Sequence, residues 1–197
     1  MRLGFIGPAK SDVAALERAA KLLVCDLEVD TLIYLADDEA LHAFTAKHEP
    51  GVSDVPIDQQ VAQVAASGTP DEIEGVLRKL RGARYLGKLR VAPPSPTRAM
   101  EMVDDRIALI VRNKSTIGEE DVINSNIVVF GDAKELMFKR FGPRCFFSPG
   151  PLEAGHLGLL DDKSESGGVA LQAFGLDGEI VWSEPIQGRG AKVMVAP

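Results

Sequence analysis

The sequence predicts an α/β domain with two packed β-sheets and flanking helices. Three observations carry that prediction. The chain opens on a strand–helix–strand pattern, its middle is helical in period, and its last third is dense in short strands broken by Gly, Pro and Asp turns. With 197 residues, of which 45% are hydrophobic and 26% charged, it can bury one core of ordinary size. The 22 Lys and Arg against 29 Asp and Glu give a net charge of −7. A surface-wide affinity for polyanions, and with it a nucleic-acid partner, is therefore not expected, although a local basic patch stays open. No apolar run reaches the roughly 20 residues that a membrane span needs. The N-terminus is too short in apolar residues for a secretory signal. Cys25 and Cys145 make no disulfide framework, and a cytoplasmic location is expected.

The elements follow in order. Residues 2–6 form an apolar run that reads as a buried strand, ended by Gly7-Pro8 because proline cannot donate to a ladder. Ser11 is the expected N-cap of a helix in which Val13, Leu16, Ala20 and Leu23 recur at helical spacing, with Glu17 four residues before Lys21. Residues 31–35 are β-branched and aromatic, a second strand parallel to the first. Ligand sites in such sheets lie beyond the carboxyl ends of the strands, here residues 7–11 and 36–39. Thr69-Pro70-Asp71-Glu72 combines a cap, a first-turn proline and the capping-box spacing, so a helix should run from there to Arg81 and end at Gly82. Residues 100–103 and 106–111 read as a hairpin about Asp104-Asp105, with Met100 and Met102 expected in sheet packing. Strands at 127–130, 136–141, 144–147, 156–160, 169–174 and 179–182 follow, with turns at Gly142-Pro143, 163–168 and Leu176-Asp177-Gly178.

This order of elements, with the strings "RLGFIG", "LIYL", "IALIV", "IVVFG", "FKRFGPRCFFSPGPL" and "LGLLD", resembles the small bacterial calcineurin-like metallophosphoesterases. The resemblance implies a four-layer αββα sandwich of two mixed sheets over residues 1–184, followed by a C-terminal tail, 185–197. Members of that family hold two divalent metals with Asp, His and Asn ligands that activate a hydroxide and clamp phosphate. By position, Pro8 and Lys10 stand where the family's first Asp and His would be, and Asp37 keeps the bridging Asp. Arg112, Asp132 and Lys134 replace later histidines. The Gly-Asn-His signature is not found between residues 80 and 100.

Charged Lys and Arg have donors and no free lone pair, so they cannot ligate Mg²⁺ or Mn²⁺. The resemblance thus implies a vestigial pocket of Lys10, Asp37, Asp38, Arg112, Asn113, Lys114, Asp132 and Lys134, with no catalytic residue and no metal. Cations beside Asp37 and Asp132 would stand in for metal charge. One pair at ~4 Å gains about 4 kcal/mol of gross attraction at an effective dielectric near 20, much of it cancelled by desolvation. Lys10, Arg112 and Lys134 are also the candidate anion-binding set. Asp37 is otherwise expected to cap the helix beginning near Asp38, with an ion pair to Lys10.

The expected function is a catalytically inactive scaffold or protein-binding module, by analogy with the phosphoesterase-fold subunit of the retromer coat. Its partners would be an unidentified protein and further copies of the chain. Two alternatives stand beside it. One is a divergent phosphodiesterase or phosphatase with one Mg or Mn ion on Asp37, Asp38, Asn113 and Asp132. The other is a non-catalytic sensor of a phosphorylated small molecule. Residues 78–90, with six basic residues and no acid, read as either a contact surface or a solvated helix end. The three histidines do not make a site.

Overall fold

The structure is a computed structural model that describes residues 1–49, 56–163 and 168–186. Its elements run β1 (Arg2–Ile6), α1 (Val13–Lys21), β2 (Thr31–Tyr34), α2 (Glu39–His48), α3 (Ile57–Ser67), α4 (Pro70–Lys88), β3 (Leu89–Val91), β4 (Ala99–Val103), β5 (Arg106–Val111), α5 (Glu119–Asn124), β6 (Ile127–Phe130), β7 (Met137–Phe141), β8 (Arg144–Ser148), β9 (His156–Asp161), β10 (Ala170–Gly175) and β11 (Ile180–Pro185). They assemble into a six-stranded sheet, β11-β10-β9-β1-β2-β3, and a five-stranded sheet, β4-β5-β6-β8-β7. Both sheets are mixed. β1, β2 and β3 are parallel, and β9 joins β1 antiparallel. β5, β6 and β8 are parallel, flanked by antiparallel β4 and β7. The expected α/β class with two mixed sheets and flanking helices is the observed one.

Alternation along the strands divides the core. Leu3 and Phe5 of β1 face the second sheet and pack with Ile110, Val129 and Phe147. Ile6 faces the other way, onto Leu16 and Leu23 of the first helical segment, Phe44 of α2 and Tyr85 of α4. A smaller cluster of Leu109, Val111, Val128 and Phe130 lies on the outer face of the five-stranded sheet beneath Ile117 and Ala133. Each fully buried Leu, Ile or Phe contributes about 1.5–3 kcal/mol of transfer free energy.

Several local expectations shift. α1 is capped by Asp12, whose carboxylate accepts from Ala15 N at 2.8 Å, and not by Ser11. The reason is the turn before it: Lys10 is left-handed (φ 59°), and Asp12 N closes onto Ala9 O at 2.9 Å, moving the start one residue on. Beyond Lys21 the helix continues as a π-helical turn, Leu22–Asp26. Glu17 reaches Lys47 and His48 of α2 at 2.6 and 3.2 Å, with no ion pair to Lys21. The capping box at Thr69 and Glu72 forms, and its Thr69 N–H bond draws the Glu72 carboxyl below its usual range. That helix, α4, does not stop at Gly82 but continues to Lys88. A Cβ at Gly82 would stand 3.0 Å from His48 Nδ1, so this glycine provides room for α4 against α2 and not a terminus.

The hairpin about Asp104 (φ 56°) forms as expected. Met100 and Met102, however, are 67% and 69% exposed. β4 is an edge strand whose alternation gives Ala99 and Val103 to the inter-sheet core and leaves the methionines on the outer face. Pro185 closes β11 and Ile186 is buried. The expected tail from 187 onward, and residues 164–167 of the expected turn at 163–168, lie outside the described residues.

Candidate functional site

The loops after β1, β2, β5, β6 and β8 meet at the carboxyl ends of the parallel strands. Two glycines let them close. A Cβ at Gly7 would stand 1.8 Å from Gly150 O, and one at Gly131 would stand 2.3 Å from Leu35 O, so any side chain there would force the two sheets apart.

At the first of these ends the left-handed Lys10 turns two successive amides toward one carboxylate, as in an anion-binding nest. The anion is Asp38. Its Oδ2 accepts from Ala9 N at 3.1 Å and Lys10 N at 2.8 Å, and its Oδ1 accepts from Leu41 N at 3.1 Å, capping α2. The Tyr34 hydroxyl donates to the same carboxylate at 2.7 Å and accepts from Ala9 N at 2.7 Å. Burial pushes Tyr34 far above the usual phenol range, so it remains a donor. The cap of α2 is therefore Asp38 and not Asp37. Asp38, one residue farther from the strand, lies where the helix amide and both loop amides converge.

Asp37 is exposed. It pairs with Arg112 at 3.1 Å and with His42 at 3.3 Å. Arg112 also donates through Nε to Ala92 O. The expected Lys10–Asp37 pair does not form, because the Lys10 side chain points to Glu153, 2.8 Å away on the loop after β8. Asp132 accepts from Lys114 N at 3.0 Å, and Asn113 Oδ1 accepts from Ser115 N at 2.9 Å. Lys114 Nζ lies 5.7 Å from the Phe130 ring centroid. Lys134 is exposed and makes no bond to Asp37 or Asp132 among the described residues. Of the sequence-derived set, then, Asp37 and Arg112 are joined directly, and Asp132, on the loop after β6, accepts from the turn at Asn113 and Lys114 that follows β5. Lys10 contributes its backbone to Asp38 and its side chain elsewhere. Tyr34 and Glu153 were missing from that set. Tyr34 gave no signal in its spacing, since four residues of extended strand span about 13 Å and only the turn after β2 brings its hydroxyl to Asp38. Glu153 gave none, being 143 residues from its partner.

The family that the strand strings resemble implies a pair of divalent ions, and the residues present at those positions do not fit one. Among the described residues no three His, Cys, Asp or Glu side chains converge as ligands. The oxygen donors are already engaged by backbone amides, Tyr34 or Arg112. The remaining groups at these positions are cations, which repel a metal.

No protein-family model and no curated protein matches the chain. Solved structures match its fold. YfcE, a phosphoesterase from E. coli, superposes with a TM-score of 0.55 at 16% identity, over 95% of this chain and 100% of that one. A predicted phosphoesterase from Streptococcus pneumoniae gives 0.53 at 11% identity, over 93% and 95%. Vps29 from Chaetomium thermophilum gives 0.51 at 11%, over 97% and 99%. The chain thus has the calcineurin-like metallophosphoesterase fold that its strand strings resemble.

Proposed function

We propose that this protein is a phosphoesterase-fold protein without hydrolytic activity that works as a protein-binding or scaffolding module. One observation carries the reading: the strand-end carboxylates are consumed internally. Asp38 is held by three amides and a phenol, and Asp37 by Arg112 and His42. Neither carboxylate is left to hold a metal that would lower the pKa of a bound water, the step on which metal-dependent phosphoester hydrolysis depends. The scaffolding half draws support from apolar side chains on the sheet edges, Met100 and Met102 on β4 and Ile180 and Val181 on β11, all more than half exposed. Edges of this kind suit protein partners or a second copy of the chain.

The test is metal content by elemental analysis, together with hydrolysis of an aryl phosphodiester in added Mn²⁺. The expected result is substoichiometric metal and no turnover above the metal blank. Stoichiometric metal with turnover abolished by Asp37→Ala would overturn the proposal in favour of a reduced single-ion site on Asp37, Asp38, Asn113 and Asp132. A thermal shift with phosphosugars that vanishes in Arg112→Gln/Lys134→Gln would favour a sensor at the strand ends.

A further inference from the structure

A second charged region lies in the helical layer, away from the strand ends. α1, α2 and α4 enclose an open groove of about 510 Å³, within the size range of small-ligand sites. Its walls carry Arg18 and Lys21 from α1, Lys47 from the last turn of α2, and Arg78 and Arg81 from α4, over a floor that includes Tyr85. On α1, Ala14, Glu17, Arg18 and Lys21 follow at steps of three and four, and on α4 so do Arg78, Arg81 and Tyr85, so each helix turns one face to the groove.

Two carboxylates touch these five cations. Glu17 holds Lys47 at 2.6 Å, and Glu74 holds Arg81 at 2.6 Å. Arg18, Lys21 and Arg78 have no ion pair or side-chain hydrogen bond among the described residues. The helix macrodipole favours cations in the last turns of α1 and α2, which accounts for Arg18, Lys21 and Lys47. It does not account for Arg78 and Arg81, which sit in the interior of a helix running Pro70–Lys88. A chain of net charge −7 has acids to spare, yet it leaves three cations facing one concavity without partners. Like charges arranged in this way raise the local positive potential and draw in anions. Guanidinium groups from two helices offer forked donors suited to phosphate oxygens.

We infer that this groove binds a small soluble polyanion carrying two or more phosphate groups, held by Arg18, Lys21 and Arg78 against the Tyr85 floor. This inference does not depend on whether the strand-end pocket is silent. The test is isothermal titration of the full chain with inorganic pyrophosphate and with a nucleoside triphosphate, at low and at physiological salt. Comparison is with Arg18→Gln/Arg78→Gln and with Arg112→Gln/Lys134→Gln. Arg18 and Arg78 are exposed and unpaired among the described residues, so the groove variant should melt within a degree or two of the parent, and Arg78→Lys serves as a second, charge-conserving variant. Binding that falls at least tenfold in the groove double variant, less than threefold in the strand-end variant, and partly in Arg78→Lys supports the inference. No binding of either phosphate, equal binding by the groove variant, loss confined to the strand-end variant, or attachment to anionic phospholipid vesicles without binding of the soluble phosphates would each overturn it.

Discussion

The strand ends and the helical groove treat charge in opposite ways. At the strand ends the carboxylates are engaged: Asp38 has Tyr34 and three amides, Asp37 has Arg112 and His42, Asp132 has the Lys114 amide, and Lys10 is paired to Glu153, while the Lys114 and Lys134 side chains have no ion pair among the described residues. In the groove, Glu17 and Glu74 leave three of five cations without an ion pair among the described residues. A neutralised cluster holds loops together, and an unneutralised one is poised to receive something from outside. The strand-end carboxylates thus serve the loops around them, while the helices on the flank keep an open charge.

The largest effect should come from the residue that organises the strand ends. Asp38→Ala removes a helix cap and strips bonds from a buried tyrosine and two loop amides, at a cost of about 3–5 kcal/mol in urea unfolding. Its neighbour Asp37, exposed and paired to Arg112, should cost less than about 1 kcal/mol as Asp37→Ala. Equal losses from the two would erase the distinction drawn here between an organising and a merely paired carboxylate.

Next comes Gly82→Ala, whose added carbon meets the His48 ring and backbone where α2 and α4 bound the groove. The crowding against the His48 backbone and ring is expected to outweigh a helix-propensity gain of about 0.5–1 kcal/mol, for a net loss of about 1 kcal/mol. Gly87→Ala meets nothing within 4 Å, so it should gain about 0.5–1 kcal/mol through helix propensity. Thermal melts of the pair separate packing from propensity. Tyr34→Phe removes one buried hydroxyl but leaves Ala9 N bonded to Asp38, for a loss of about 1–2 kcal/mol by the same denaturation.

The smallest effect is in pH. His48 packs between Phe44 and Tyr85 beside Gly82, facing Glu17 with Lys47 adjacent. Burial lowers its pKa, and Glu17 only partly opposes this. The unfolded chain then takes up a proton near pH 6.5 that the folded chain resists. The His48 contribution is therefore present above about pH 6.5 and is lost as pH falls from there toward the lowered folded value. Unfolding measured across pH 5–8 should show this slope, and His48→Gln should flatten it.

Much of the architecture was legible in the residues. The strand runs at 2–6, 106–111 and 127–130 and the capping box at Thr69 appear as read, because periodicity and capping are decided within a few residues. The strand-end loops were also located, since parallel strands place their carboxyl ends together. The errors share one cause. Ser11 against Asp12, Asp37 against Asp38, and Gly82 as stop against Gly82 as contact each turned on a neighbour remote in sequence or on a turn conformation that spacing does not reveal.

The sequence by itself therefore determined most of the strands and helices, α3, β3 and α5 excepted, and where the loops gather, through preferences local to each segment. Tertiary structure decided which acid meets which base. The basic run at 78–90 shows why. One helical turn takes 3.6 residues, so Arg78 and Arg81 turn to the groove, Lys79 turns to Gln60 on α3, and Lys88 turns to Val29 O. The groove was completed by Arg18, Lys21 and Lys47, which packing brought in from two other helices. A charge has meaning only against the charges that face it, and only the folded chain chooses those.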